Sequence, residues 1–88
     1  MAKVLIVDDD RDFTEISTAV LEGAGHRINA AYNTQEGMQA VKDFQPDIII
    51  LDVMMEQPDD GFVMAQELRR QKINTPILML TSINKGPA

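Results

Sequence analysis

Short apolar runs alternate with longer stretches of mixed polarity along the chain. Val4-Leu5-Ile6-Val7 is a run of four aliphatic residues, three of them β-branched, and predicts a strand buried on both faces. From about Asp12 to Glu22 the period changes. Phe13, Ile16, Val20 and Leu21 recur at helical spacing, Asp12 suits the N-cap, and Gly23 and Gly25 end the helix. Arg27–Tyr32, with Ile28, Ala30 and Tyr32 alternating, predicts a weaker strand nearer a sheet edge. Asn33 stands three residues before Glu36, the spacing of a capping box, and opens a second helix. That helix keeps Gly37, Ala40, Val41 and Phe44 on one side and stops before Pro46. Asp47–Val53 carries three consecutive isoleucines and predicts a central parallel strand. Glu56–Asp60 is polar, contains Pro58 and reads as a loop. Asp60 then suits the cap of a third helix, Gly61 to about Gln71, burying Phe62, Ala65 and Leu68. Thr75-Pro76 opens a fourth strand, Ile77–Leu80, which runs into Thr81-Ser82; residues 83–88 read as a loop or tail.

The order β-α-β-α-β-α-β requires parallel strands joined by right-handed crossovers, hence a doubly wound α/β sheet. All strands then point one way, and Asp8-Asp9, Asp52 and Thr81 each fall at a C-terminal strand end. Ligands of open α/β sheets sit at that edge, where the strand order reverses. With the first strand beside the third, and the third beside the fourth, these residues meet in one crevice.

Composition narrows the function classes. A chain of 88 residues makes one domain. The absence of cysteine excludes disulfides and thiolate metal sites. A formal charge of −6 argues against nucleic acid as a partner of this segment. No signal peptide or membrane-spanning run is visible, so a cytoplasmic, unprocessed protein is expected. His26, the only histidine, falls at the sheet edge opposite the crevice and reads as structural. The six methionines read as core filler and Tyr32 as packing.

The crevice has its own chemistry. Three carboxylates within a few ångströms repel one another, and a hard divalent cation removes the conflict. Mg²⁺ takes oxygen ligands and keeps several waters, so it suits such a set. One carboxylate can also act as a nucleophile toward phosphorus, giving an aspartyl phosphate. The hydroxyl of Thr81 or Ser82 offers a hydrogen bond to a phosphoryl oxygen, and a lysine would complete the cage.

This constellation resembles the receiver domain of bacterial two-component response regulators. Three segments carry the resemblance: residues 4–10 through Asp8-Asp9-Asp10, residues 46–55 through Asp52-Val53-Met54-Met55, and residues 76–82 through Thr81-Ser82. It covers residues 3–82 and implies a flavodoxin-like fold. It also implies that Asp52 accepts phosphate from a sensor kinase phosphohistidine or a phosphotransfer protein. Asp8, Asp9 and Asp52 would hold Mg²⁺, Asp9 more directly than Asp8, which would act largely through water. The backbone carbonyl of Met54 would be a further ligand and Thr81 the switch hydroxyl. Asp10 follows the pair at a variable position and has no assigned role.

Two departures from the family pattern stand out. Glu56 occupies the usual proline position, and Gly61 lies nine residues after Asp52 rather than eight, so the loop is longer by one. Its acids Glu56, Asp59 and Asp60 read as a solvated loop, with altered metal affinity as the alternative. The fifth strand with its lysine and the last helices are missing from residues 1–88, and Lys85 is not assigned that role. The chain therefore reads as an incomplete receiver. Its uncovered apolar face and fourth-strand edge would be filled by a second copy or a swapped segment. Two other functions compete with the phosphorelay switch. A haloacid-dehalogenase-type phosphohydrolase would need a second Asp at the position of Met54. A receiver-shaped interaction module would bind partners without phosphorylation.

Overall fold

The computed structural model describes residues 1–80. Its elements are β1 (Lys3–Val7), α1 (Arg11–Gly23), β2 (Arg27–Ala31), α2 (Thr34–Phe44), β3 (Ile48–Asp52), α3 (Asp60–Arg70) and β4 (Ile77–Leu80). The strands form one parallel sheet in the order β2-β1-β3-β4. This is the expected topology, with the chain order reversing between β1 and β3. Thr81, Ser82 and Lys85 lie outside the described residues, as does the tail from residue 83.

β1 is buried throughout from Val4 to Val7. Leu5, Val7, Ile49 and Leu51 turn to one face of the sheet and form the core with Val41 of α2 and Met64 and Leu68 of α3. Val4 and Ile6 alternate to the other face, where α1 lies. Burying each large aliphatic side chain stabilises the fold by roughly 1.5–3 kcal/mol, so this layer is the main source of stability.

The helix starts differ from the expected ones in two places. Asp10, not Asp12, caps α1: its carboxylate accepts from Phe13 N–H at 3.1 Å. The chain turns earlier because the Asp8 carboxylate takes Asp10 N–H at 2.9 Å, which places Asp10 at the helix mouth. Asp12 sits in the first turn, where the helix dipole favours its charge. The second difference is at α3, whose cap position is Asp59 with no side-chain bond. Asp60 instead accepts from Gln57 N–H at 2.8 Å and closes the preceding loop. At α2 the expected Asn33 cap is present, with Glu36 N–H donating to its Oδ1 at 2.8 Å. Glu36 reaches back one residue further than expected, to Tyr32 N–H at 3.0 Å.

The buried faces of α1 and α3 also differ from those expected. On α1 the wholly buried residue is Thr14, whose hydroxyl donates to the carbonyls of Asp10 and Arg11. Phe13, Ile16 and Val20 remain 38%, 66% and 66% exposed. They form a flank of the helix rather than its sheet-facing side. On α3, Gly61, Met64 and Leu68 are buried while Phe62 is exposed. Gly61 sets this phase. Its N–H donates to Val53 O at 2.8 Å, and a Cβ at this residue would lie 2.1 Å from the carbonyl oxygen of Asp52. With position 61 pressed on β3, positions 64 and 68 follow on the same side and Phe62 turns away.

At the far end of α3, Arg70 grips Glu67 through Nε and Nη2. Hydrogen bonds from Arg70 and then Gln71 hold the Glu67 carboxyl down at about 2, against an ordinary 4.5. The pair lies at the surface, so salt screens it.

The glycine, cap and ion-pair contacts each carry an expected outcome for stability or titration. Gly61→Ala meets rigid backbone and should lower stability by about 3 kcal/mol, near the upper end of overpacking costs. Gly37→Ala meets the flexible Met64 Cε at 2.9 Å and gains helix propensity, so its net effect should stay within about 1 kcal/mol; urea denaturation compares the two. Asn33→Ala should cost about 1 kcal/mol in the same assay. In an NMR titration the Glu67 carboxyl should remain charged until the pH falls toward 2. Its folded pKa is depressed, so its contribution is present above the ordinary value and lost in that acid range. Arg70→Gln should return the titration toward 4.5.

Candidate acidic metal site

The site forms because two strands are in register. Val7 pairs with Leu51, so the next residues, Asp8 and Asp52, leave the sheet side by side. Asp9 follows in the turn toward α1. One carboxylate oxygen from each of Asp8, Asp9 and Asp52 lies within 4.8 Å of the others. Asp8 is 3% exposed and Asp52 1%, whereas Asp9 faces solvent.

Backbone bonds fix this geometry. Asp8 N–H donates to Ala31 O at 3.0 Å, which holds the end of β1 against β2. Val53 N–H donates to Leu80 O at 3.0 Å, and Gly61 N–H to Val53 O, so β4 and α3 both brace the end of β3. Met54 N–H approaches Asp52 Oδ1 at 3.4 Å, long for a hydrogen bond but enough to place the Met54 backbone at the rim of the site. Leu80, which precedes Thr81 in the chain, pairs with Asp52. Thr81 itself lies outside the described residues.

Like charges this close repel by roughly 3 kcal/mol per pair at an effective dielectric near 20. A divalent cation offsets that repulsion. The donors are all hard carboxylate oxygens, which suits Mg²⁺ or Ca²⁺ rather than a thiophilic metal. Two oxygens bound directly to one Mg²⁺ stand at most about 4.2 Å apart, given metal–oxygen distances of about 2.1 Å. The observed span is close to that limit, so small rotations or one bridging water bring the set onto a single ion.

The loop between β3 and α3 closes on itself. Met55 and Asp60 N–H both donate to Gln57 O, at 3.3 and 3.2 Å. Gly61 still reaches the end of β3. Glu56 and Asp59 are exposed, and Asp60, the first residue of α3, is engaged with Gln57. Asp10 is occupied as a helix cap. His26 Nδ1 accepts from Ala2 N–H at 3.0 Å, a structural role at the other edge. Met38, Met55, Met64 and Met79 pack in or against the core, but Met54 is half exposed. Tyr32 does more than pack: the Arg11 guanidinium lies 4.0 Å from its ring centre. No periodicity announces that pair, which arises only when β2 and the start of α1 meet.

The family model described as "Response regulator receiver domain" matches residues 4–87. The DNA-binding dual master transcriptional regulator RpaA of Synechocystis sp. is 36% identical over 87 residues, covering 97% of this chain and 36% of RpaA. The chain thus spans about a third of the length of the curated relatives it matches. Among solved structures, a Francisella response regulator receiver domain is similar with a TM-score of 0.86 and 30% identity, covering 96% of this chain and 69% of that one. TrrA of Thermotoga maritima, solved in complex with Mg²⁺-BeF, has a TM-score of 0.83 and 29% identity, with 97% of this chain and 73% of TrrA covered. With a β2-β1-β3-β4 parallel sheet and three helices among its described residues, the chain belongs to the response regulator receiver domain family of two-component systems and has the flavodoxin-like fold of that family.

Proposed function

We propose that this domain is a phosphoacceptor switch in which Asp52 takes a phosphoryl group from a phosphohistidine of a sensor kinase or phosphotransfer protein. The observation that carries this reading is the meeting of Asp8, Asp9 and Asp52 at one strand-end crevice. An Asp52 carboxylate oxygen attacks phosphorus, the phosphorus–nitrogen bond to the imidazole breaks, and an acyl phosphate forms while the departing imidazole takes up a proton. Asp8, Asp9 and Asp52, with the Met54 carbonyl, would hold Mg²⁺, which when bound would neutralise the carboxylates and the phosphoryl oxygens. Asp9 faces solvent and would be the more direct ligand, with Asp8 acting largely through water. Burial of Asp52 orients the nucleophile and limits the access of water to it. Thr81 supplies the hydroxyl that bonds the phosphoryl group and biases the domain between two conformations.

TrrA was solved with Mg²⁺-BeF, and its likeness to this chain supports the same use of the acidic crevice here. Met54 stands where a haloacid-dehalogenase-type phosphohydrolase needs its second Asp, which favours a regulatory acceptor over a turnover enzyme. The output belongs to a larger protein, a transcriptional regulator by analogy with RpaA. The acidic segment itself makes no nucleic-acid contact and works in the cytoplasm. Among the described residues no helix is long and apolar enough to cross a membrane.

Beryllofluoride with Mg²⁺ should shift the amide resonances of residues around Asp8, Asp52 and Met54 in a ¹⁵N NMR spectrum. Asp52→Asn should abolish the beryllofluoride response, and Asp9→Asn should weaken Mg²⁺ binding by at least about tenfold. Asp10→Asn, which alters only a cap, should retain both. A response that survives in Asp52→Asn removes Asp52 as acceptor, and multiple turnover of p-nitrophenyl phosphate would favour the phosphohydrolase.

A further inference from the structure

The outer edge of β2 and the overhanging flank of α1 form a groove that the phosphoacceptor chemistry does not use. β2 is an edge strand of the sheet. Arg27 N–H donates to Ala2 O at 2.9 Å, and Ala31 O accepts from Asp8 N–H at 3.0 Å. In a parallel ladder alternate residues bond the same neighbour, so positions 27, 29 and 31 face β1. The N–H and C=O groups of Ile28 and Ala30 therefore point outward along the edge. α1 closes over them and leaves a groove of about 390 Å³, with Ile28, Ala30 and Ala19 among its apolar lining and Glu15 and Glu22 as its carboxylates.

The charges define what fits. Glu15 and Glu22 are exposed and lie two helical turns apart on one flank of α1, roughly 10 Å along the helix axis. Four residues of an added strand span roughly 13 Å, so its first and fifth side chains reach one carboxylate each. The neighbouring cations are committed elsewhere. Arg11 stacks on Tyr32 at one end of the groove, and the Arg27 guanidinium lies over Phe44 on the opposite face of the sheet. We propose that this groove binds an extended basic segment of a partner protein as an added outer strand. Its pattern is Lys-x-Val-x-Lys, with Arg equivalent to Lys. The backbone pairs with Ile28 and Ala30, the small apolar side chain enters between them, and the two cations meet Glu15 and Glu22.

The test uses the 88-residue chain and an acetylated, amidated pentapeptide, Lys-Thr-Val-Thr-Lys, at low ionic strength. The peptide should shift the Ile28 and Ala30 amides in ¹⁵N NMR spectra and slow their hydrogen exchange. The same peptide N-methylated at its strand-pairing amides should bind at least tenfold more weakly to the unaltered protein. Glu15→Lys/Glu22→Lys should weaken binding by at least tenfold, while Asp43→Lys/Glu56→Lys, with the same change in net charge, should not. Equal binding of the methylated peptide, equal loss in both double variants, or no response at Ile28 and Ala30 would each overturn strand addition.

Discussion

The parallel pairing of β1 with β3 is the constraint on which the rest of the structure depends. It joins two segments that are over forty residues apart in sequence and places them as the two inner strands of the sheet. The driving force is burial: Val4 to Val7, Ile49 and Leu51 lose nearly all contact with water once these strands meet. A shift of the register by one residue would turn Leu5 and Val7 away from the α2 and α3 side. The same register sets Asp8 beside Asp52. The apolar core therefore positions a polar site at its own margin, and the stability of the strands holds together carboxylates that repel.

The margin needs a second constraint, the approach of α3 to the end of β3. Gly61 permits it, because only a hydrogen can occupy the space beside the Asp52 carbonyl. The hydrogen bond from Gly61 to Val53 then anchors the helix start without a side-chain cap. The preceding loop closes around Gln57, through the Asp60 carboxylate and two backbone amides.

The distribution of apolar residues over the helices marks the reach of periodicity. Helical spacing identified Leu68 correctly, since on α3 it lies one full heptad after Gly61. It gave the wrong face for Phe62, because phase was set by a glycine contact rather than by the largest side chain. On α1 it found a real apolar flank, Phe13, Ile16 and Val20, but the sheet packs against Thr14. A buried threonine that bonds its own helix carbonyls carries no hydrophobic signal. The caps show a related limit. Asp10 and Asp12 are chemically identical as caps, and the choice between them was made by the Asp8 carboxylate at the end of β1.

Local sequence determined the number and order of elements, the parallel sheet, the Asn33 cap, and the acids that close β1 and β3. Each depends on neighbours within a turn or a strand, where side-chain chemistry acts directly on the backbone. The family resemblance added an expectation for the candidate site, because Asp8-Asp9 and Asp52 stand in the order of its motif. Tertiary structure alone decided which face each helix buries, how Gly61 meets Asp52, and that Arg11 lies on Tyr32. It also decided that three carboxylates lie within 4.8 Å. Those are distances between residues remote in the chain, and only the packing of the sheet and its helices fixes them.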